Sequence, residues 1–457
     1  MSGNLKTEGK SSQTFVSFNQ AVFVWFKISL LSFGGPAGQI AVMHRLLVEE
    51  LKWVSEKRFL HALNFCMLLP GPEAQQLTIY LGWLLHRVRG GVVAGTLFVL
   101  PGALTVLVLS IIYVTYQQEM LVSSIFFGVK AAVLAIVTSA LWRLARKTLR
   151  KKLLIGITIA AFLASFVFAV PFPIVIVGAA LATYFFGEAP VQTAGSDEEG
   201  EGRIIDSWVA AGGSPKPHRA FVVAAICAFL WLAPIAVLYG WLGAGHVYVQ
   251  EAMFFSKMAV VTFGGAYAVL SYMAQQTVGH YGWISAGEML DGLGMAETTP
   301  GPLIMVTQFV GFMGAYHSPG ALDPMMAGCL GALVTTWVTF APCFLWIFLG
   351  APYIEALRGN RVLAAALTGI TAAVVGVVLN LAIWFGLRVM FAELSDVALL
   401  GLDGIAVSLP VMSSFDPLAG AILAGALVAI TSFGVGMIKG LAVCAAAGLA
   451  LGSVGLV

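Results

Sequence analysis

Phe59 to His86 reads Phe-Leu-His-Ala-Leu-Asn-Phe-Cys-Met-Leu-Leu-Pro70-Gly71-Pro72-Glu73-Ala-Gln75-Gln-Leu-Thr-Ile-Tyr-Leu-Gly-Trp-Leu-Leu-His86. Lys52, Lys57 and Arg58 precede this stretch, and Arg87 and Arg89 follow it. Loops rich in Lys and Arg lie on the cytoplasmic side of a membrane, which puts both ends on one face. Two full crossings would need about 40 residues, so the segment is expected to dip into the bilayer and return. Pro70-Gly71-Pro72 falls in its middle, where two prolines and a glycine remove donors and helical constraint, as the tip of such a hairpin requires.

The rest of the chain fits the same solvent. Of 457 residues, 59% are hydrophobic and 10% charged, against roughly 25% charged in a soluble protein. Gly90 to Gln118, Leu153 to Gly187 and Val362 to Leu387 contain no Asp, Glu, Lys or Arg, and about 20 apolar residues suffice for a transmembrane helix. The expectation is an all-α polytopic membrane protein with the lipid bilayer as its surroundings. A net charge of +2, with basic residues in loops, argues for no nucleic acid partner. Cys66, Cys227, Cys329, Cys343 and Cys444 are scattered without a Cys-x-x-Cys pair, and no His-x-x-x-His occurs; no metal and no cofactor is expected. The polar first fourteen residues lead into an apolar segment that contains Lys27 and no small-residue cleavage site, unlike a secretory signal.

Pro70-Gly71-Pro72 recurs as Pro300-Gly301-Pro302, Phe33-Gly34-Gly35 as Phe263-Gly264-Gly265, Trp53 as Trp283, Ser55 as Ser285 and Lys27 as Lys257, all at an offset of 230 (300 against 70). Further on, an offset of 241 (342 against 101) pairs Pro101 with Pro342 and Gly128 with Gly369. Such self-similarity means two copies of one unit. In the first copy the loops hold Lys52, Lys57 and Arg58, then Arg87 and Arg89, then Arg143 to Lys152. Their counterparts Gly279 to Glu288 and Gly314 to Pro324 hold no Lys or Arg, and the third, near Arg388 to Asp396, is net acidic. The second copy is therefore expected upside down, a transporter signature. The division that follows is a first transmembrane repeat over 1–187, a polar cytoplasmic linker over 188–219, a linker helix with an external loop over 220–249, and an inverted second repeat over 250–457.

Non-helical backbone at membrane depth is tolerated only where it is buried in protein or lines a watery cavity, so the four interruptions, two per copy, should converge. Helices restarting after Gly34-Gly35, Pro70-Gly71-Pro72, Gly264-Gly265 and Pro300-Gly301-Pro302 offer free N–H groups and a positive dipole end, which suits an anion. Packing glycines and ordinary kinks are the plainer explanation. Lys27 lies about 18 Å along a helix that starts at Phe15, Lys257 holds the equivalent place, and Lys130 is central in its apolar segment. These three, with Arg45, are the candidate cations for the anion; the counterparts of Lys130 and Arg45 are Thr371 and Gln275. Glu73, followed by Gln75, sits at a restarting helix and Glu297 lies three residues before Pro300. Either carboxylate could carry a proton or simply pair with a buried lysine.

Phe33 to Pro36 (Phe-Gly-Gly-Pro), Pro70 to Leu77 (Pro-Gly-Pro-Glu-Ala-Gln-Gln-Leu) and Ala296 to Leu303 (Ala-Glu-Thr-Thr-Pro-Gly-Pro-Leu) resemble the hallmark motifs of the chromate transporter family, in its long two-copy form. The resemblance spans nearly the whole chain. It implies efflux of chromate across the bacterial cytoplasmic (inner) membrane, conferring resistance, with sulfate as the look-alike anion. Expelling a dianion from a negative interior gains about 4.6 kcal/mol per 100 mV, so membrane potential alone suffices in energy.

Another tetrahedral oxyanion is the nearest rival substrate, because backbone donors and lysines read charge and shape. A membrane-embedded enzyme would need a catalytic constellation, and no Asp-Asp-x-x-Asp, His-Glu-x-x-His, Gly-x-Ser-x-Gly or Walker loop occurs, so no enzyme is expected. A passive scaffold leaves costly midplane lysines beside paired helix breaks unexplained. Monomer and homodimer stay equally open.

Overall fold

The computed structural model describes residues 16–187, 217–263, 266–351, 361–398 and 406–456. Most of the polar linker expected over 188–219, and the pair Gly264-Gly265, lie outside the described residues.

The chain begins with α1 (Phe18–Leu31), α2 (Gly35–His44), a π-helical turn (Arg45–Glu50) and α3 (Glu56–Cys66). Then come α4 (Glu73–Tyr116), α5 (Met120–Thr148), and the short pair α6 (Lys152–Phe166) and α7 (Phe172–Phe186). After α8 (Pro217–Leu242) the same local sequence of features returns. It runs α9 (Val247–Val261), α10 (Ala266–Ala274), a second π-helical turn (Gln275–His280), α11 (Ala286–Thr298) and a 3-10 turn (Leu303–Met305) leading into α12 (Val306–His317). The long helices α13 (Pro324–Gly350) and α14 (Arg361–Met390) follow, then α15 (Pro417–Thr431) and α16 (Met437–Ser453). The starts are chemically marked: Ser55 caps α3, Ser285 and Glu288 form a capping box on α11, and Asp323 caps α13, each side chain satisfying amides that a helix leaves unpaired.

Five of the described helices are long and apolar enough to cross a membrane: Glu73–Tyr116, Met120–Thr148, Ala220–Leu242, Pro324–Gly350 and Ala364–Met390. Phe221, Phe229, Val237 and Trp241 of α8 and Phe185 and Phe186 of α7 stand exposed, an apolar surface whose stable neighbour is lipid. The protein is an all-α polytopic membrane protein, with one addition absent from the sequence reading: an antiparallel hairpin of β1 (Leu394–Ala398) and β2 (Ala406–Pro410) after α14.

At 44 residues α4 would be about 66 Å long if straight, twice the hydrocarbon thickness. It is instead a folded-back pair, broken at His86 (φ −136°, ψ 28°) and Arg87 (φ 56°, ψ −145°). Gly82 lies against Gly90 and Ala94, and Ile79 against Gly91 and Gly95, so the arms run antiparallel with glycine at the closest approach. The tip Pro70–Pro72 is flanked by α3 and the first arm of α4. Residues 286–317 repeat this shape through α11, the tip Pro300–Pro302, and α12.

The last helix pairs change sides. α6 and α7 pack on α14, where Thr158 Oγ1 donates to the Ala372 carbonyl (2.8 Å) and Gly369 abuts Thr183. α15 and α16 pack on α5, where Gly128 abuts the Cys444 carbonyl and Gly448 the Ser124 carbonyl. Buried side chains form two main clusters. One joins α1 to α3 and the start of α4 to the end of α13 through Cys343, Ile347 and Phe348; the other joins α5 to α7 with α9 to α16.

Candidate functional site

Each Pro-Gly-Pro tip turns on its glycine, with φ of 119° at Gly71 and 95° at Gly301, a region closed to side chains with a Cβ. The tips are tied to the opposite half. Gly71 N–H donates to the Thr262 carbonyl and Gly301 N–H to the Ser32 carbonyl, both at 2.9 Å. Gln76 Nε2 donates to the Pro70 carbonyl (2.6 Å) and Gln39 Nε2 to the Gly301 carbonyl (2.7 Å). Gly102 packs on Pro300 and Gly301, while Cys343 packs on Gly71.

Between the tips lies a cavity of about 20 Å³, lined by Pro36, Gln39, Gly71, Pro72, Glu73, Ala74, Thr262, Pro302, Leu303 and Ile304. That is room for about one water, so a five-atom tetrahedral anion requires the tips to part. Three helix starts face it: α2 at Pro36, α4 at Glu73 and Ala74, and the turn at Leu303 and Ile304. Their first N–H groups have no intrahelical acceptor and carry the positive dipole end. Glu73 is thus a carboxylate beside three positive helix ends. Gln75, also in the first turn of α4, is fully buried with neither amide atom hydrogen bonded among the described residues.

The cations named from the sequence stand away from this cavity. Lys130 Nζ pairs with Asp291 Oδ2 at 3.4 Å, with 31% and 5% of the two side chains exposed, and Tyr113 O–H donates to the same oxygen (2.9 Å). Arg45 pairs with Glu50 at 3.5 Å on an exposed surface. Lys27 and Lys257 sit on exposed faces of α1 and α9, beside Phe23 and Phe26 in one case and Met253 and Val260 in the other. Glu297 is buried in α11, accepts from Tyr267 O–H at 2.8 Å, and keeps its second oxygen unbonded among the described residues.

Gln39, Thr262, Asp291, Tyr113 and Tyr267 were missed by the sequence reading. Asp291 had a usable signal, a carboxylate within an apolar segment; the tyrosines had none, since they act through partners remote in the chain. Glu251 of α9 is also fully buried, against Gly314 and Gly331, with neither oxygen hydrogen bonded among the described residues. Among those residues no three His, Cys, Asp or Glu side chains group as metal ligands.

Fold and site define a polytopic membrane protein in which broken helices remote in the chain meet at one cavity, an arrangement common in secondary transporters. The model of the family described as chromate transporter matches residues 19–184 and again 249–451. The chain is 28% identical to the chromate transport protein of Cupriavidus metallidurans over 415 residues, covering 90% of this chain and 92% of that one. It is 32% identical to the chromate transport protein of Pseudomonas aeruginosa over 383 residues (79% and 80%), and 28% to a probable chromate transport protein of Synechococcus elongatus over 379 (81% and 85%). No solved structure matches. The chain belongs to the chromate transporter family.

Proposed function

We propose that the protein exports chromate from the bacterial cytoplasm across the inner membrane, giving chromate resistance, by alternating access around the cavity between the two Pro-Gly-Pro tips. The observation that carries this reading is the convergence of three helix starts, contributed by both halves, on one cavity between the two tips. Donors fixed in backbone bind an oxyanion without moving a buried charge. The names of the relatives support chromate as substrate.

The halves are read as inverted copies. Supporting this, the contacts between them are reciprocal: Gly71 to Thr262 answers Gly301 to Ser32, Gly102 at Gly301 answers Cys343 at Gly71, and Gly128 on α16 answers Gly369 on α7. Reciprocity of this kind accompanies a two-fold axis, and the one-sided loop charge favours an axis in the membrane plane. Residues 1–187 and 250–457 then form the repeats, joined by the cytoplasmic linker 188–219 and the returning segment 220–249. The oxyanion is held by the segments at Gly34-Gly35, Pro70 to Glu73 with Gln75, Gly264-Gly265 and Pro300 to Pro302. Glu73 is the candidate proton carrier at the cavity and Glu297 one turn from it in sequence. Lys130 holds Asp291 in place rather than the anion, whereas Lys27, Arg45 and Lys257 act at long range.

Cells expressing the protein should accumulate less chromium from chromate and grow at higher chromate concentrations than cells without it. Equal accumulation would remove chromate as substrate, and relief of resistance by molybdate or sulfate would move the assignment to tetrahedral oxyanions generally.

A further inference from the structure

The tips supply hydrogen-bond donors but no cation, and the four basic side chains named from the sequence are paired or turned outward. A dianion arriving from the cytoplasm therefore needs positive charge from elsewhere. α5 lies along α11 and runs in the same direction: Lys130 reaches Asp291, a Cβ on Gly287 would come 3.5 Å from Lys130 Nζ, and Gly294 packs on Val129 and Val133. In that register α5, which runs on to Thr148, extends past the end of α11 at Thr298, and its last turns bear Arg143 and Lys147. Residues 129, 133, 136, 140, 143 and 147 fall on one face of a helix. The stripe that packs on α11 thus continues as Arg143 and Lys147 toward the C-terminal end of α5.

These two differ from the other cations near the site. Both are exposed, and neither forms an ion pair among the described residues. Arg143 Nη1 donates to Oγ of the buried Ser139 at 2.8 Å, one turn back along α5. Arg146, between them, is instead stacked over Trp142 at 4.8 Å.

The opposite half is built otherwise. At an offset of 241, Ser139, Arg143 and Lys147 correspond to Asn380, Trp384 and Arg388. Those three line a separate cavity of about 170 Å³, together with Gln275 of the second π-helical turn and Ser408 of β2. There α10 packs on α14, whereas α2 does not pack on α5 in the same way. Arg143 and Lys147 are exposed, whereas Asn380 is buried and Trp384 and Arg388 are half-buried.

We propose that Arg143 and Lys147 form the cytoplasmic receiving site for the dianionic tetrahedral oxyanion, from which it passes to the donors at the two tips. This rests on the reading of the tips as the transport site. The test is initial chromate uptake into everted vesicles, which present the cytoplasmic face outward, at two ionic strengths. Arg143→Gln and Lys147→Gln should each raise KM about ten-fold at similar maximal rate, and the double variant should lose most of the salt dependence of KM that screening confers. Arg143→Lys and Lys147→Arg, which retain charge, should stay within about three-fold of the unaltered protein, as should Arg146→Gln. A double variant at normal membrane abundance with unaltered KM and salt dependence would overturn the proposal while leaving the transport reading in place. No chromate uptake by the unaltered protein would remove both.

Discussion

Gly71 in the cavity wall and Gly301 at the opposite tip both have positive φ, and a methyl group on either would crowd its neighbours. A Cβ on Gly71 would lie 2.9 Å from Gln76 Nε2 and 3.2 Å from Cys343 Sγ, and one on Gly301 3.3 Å from the Phe98 carbonyl. Alanine adds backbone strain of about 1–3 kcal/mol at such φ values, applied where the helix starts must be aimed. Gly71→Ala and Gly301→Ala should each lower the initial rate of chromate transport at least ten-fold with protein still present in the membrane; unchanged rates would show that the tips are merely structural. Both glycines were legible in the sequence because each sits between two prolines at a repeated position. Asp291 as the partner of Lys130 was not, because Lys130 belongs to α5 and Asp291 to α11, and only the fold brings them together. Lys27 and Lys257 show the same limit in reverse. Their depth follows from counting residues, but the face each occupies depends on which side of its helix the neighbours cover.

The element whose form matters most is α4. Loop charge and segment length predicted a dip and return between Phe59 and His86 with its tip at Pro70–Pro72; two helices flank that tip, and the chain bends a second time at His86 and Arg87. The sequence did not show how tightly the two arms meet, since that depends on glycines eight residues apart facing each other across a bend. A Cβ on Gly90 would run into the Gly82 carbonyl and the His86 side chain, backbone that cannot move without separating the arms. Gly90→Val should therefore leave little folded protein in the membrane, read as monodisperse material after mild detergent extraction, while Gly156→Val, at a position open on all sides, should extract normally. Equal yields of the two would argue against the folded-back helix. The two π-helical turns and the β hairpin had no compositional signal, for each is a local adjustment of hydrogen bonding inside otherwise ordinary sequence.

At the scale of the whole molecule, the repeated motifs pointed to two copies, in keeping with the two stretches that the family model matches, 19–184 and 249–451, and the loop charges carried the proposed orientation of each. What self-similarity lacks is the partner of each helix pair. α6 and α7 leave their own copy to pack on α14, and α15 and α16 leave theirs to pack on α5, an exchange that preserves every local pattern and so leaves no mark on the sequence. It clasps α5 and α14 together from both sides, while α1 to α3 and the start of α4 pack in a separate cluster. That division offers a frame and a moving part for alternating access. The most direct test of the central claim is chromate flux in proteoliposomes holding the purified protein, with membrane potential imposed and no pH gradient. The account predicts chromate accumulation on the positive side, diminished by excess sulfate or molybdate and abolished when the potential is collapsed. Chromate flux no greater than in empty liposomes, with potential and pH gradient imposed separately and together, would contradict it.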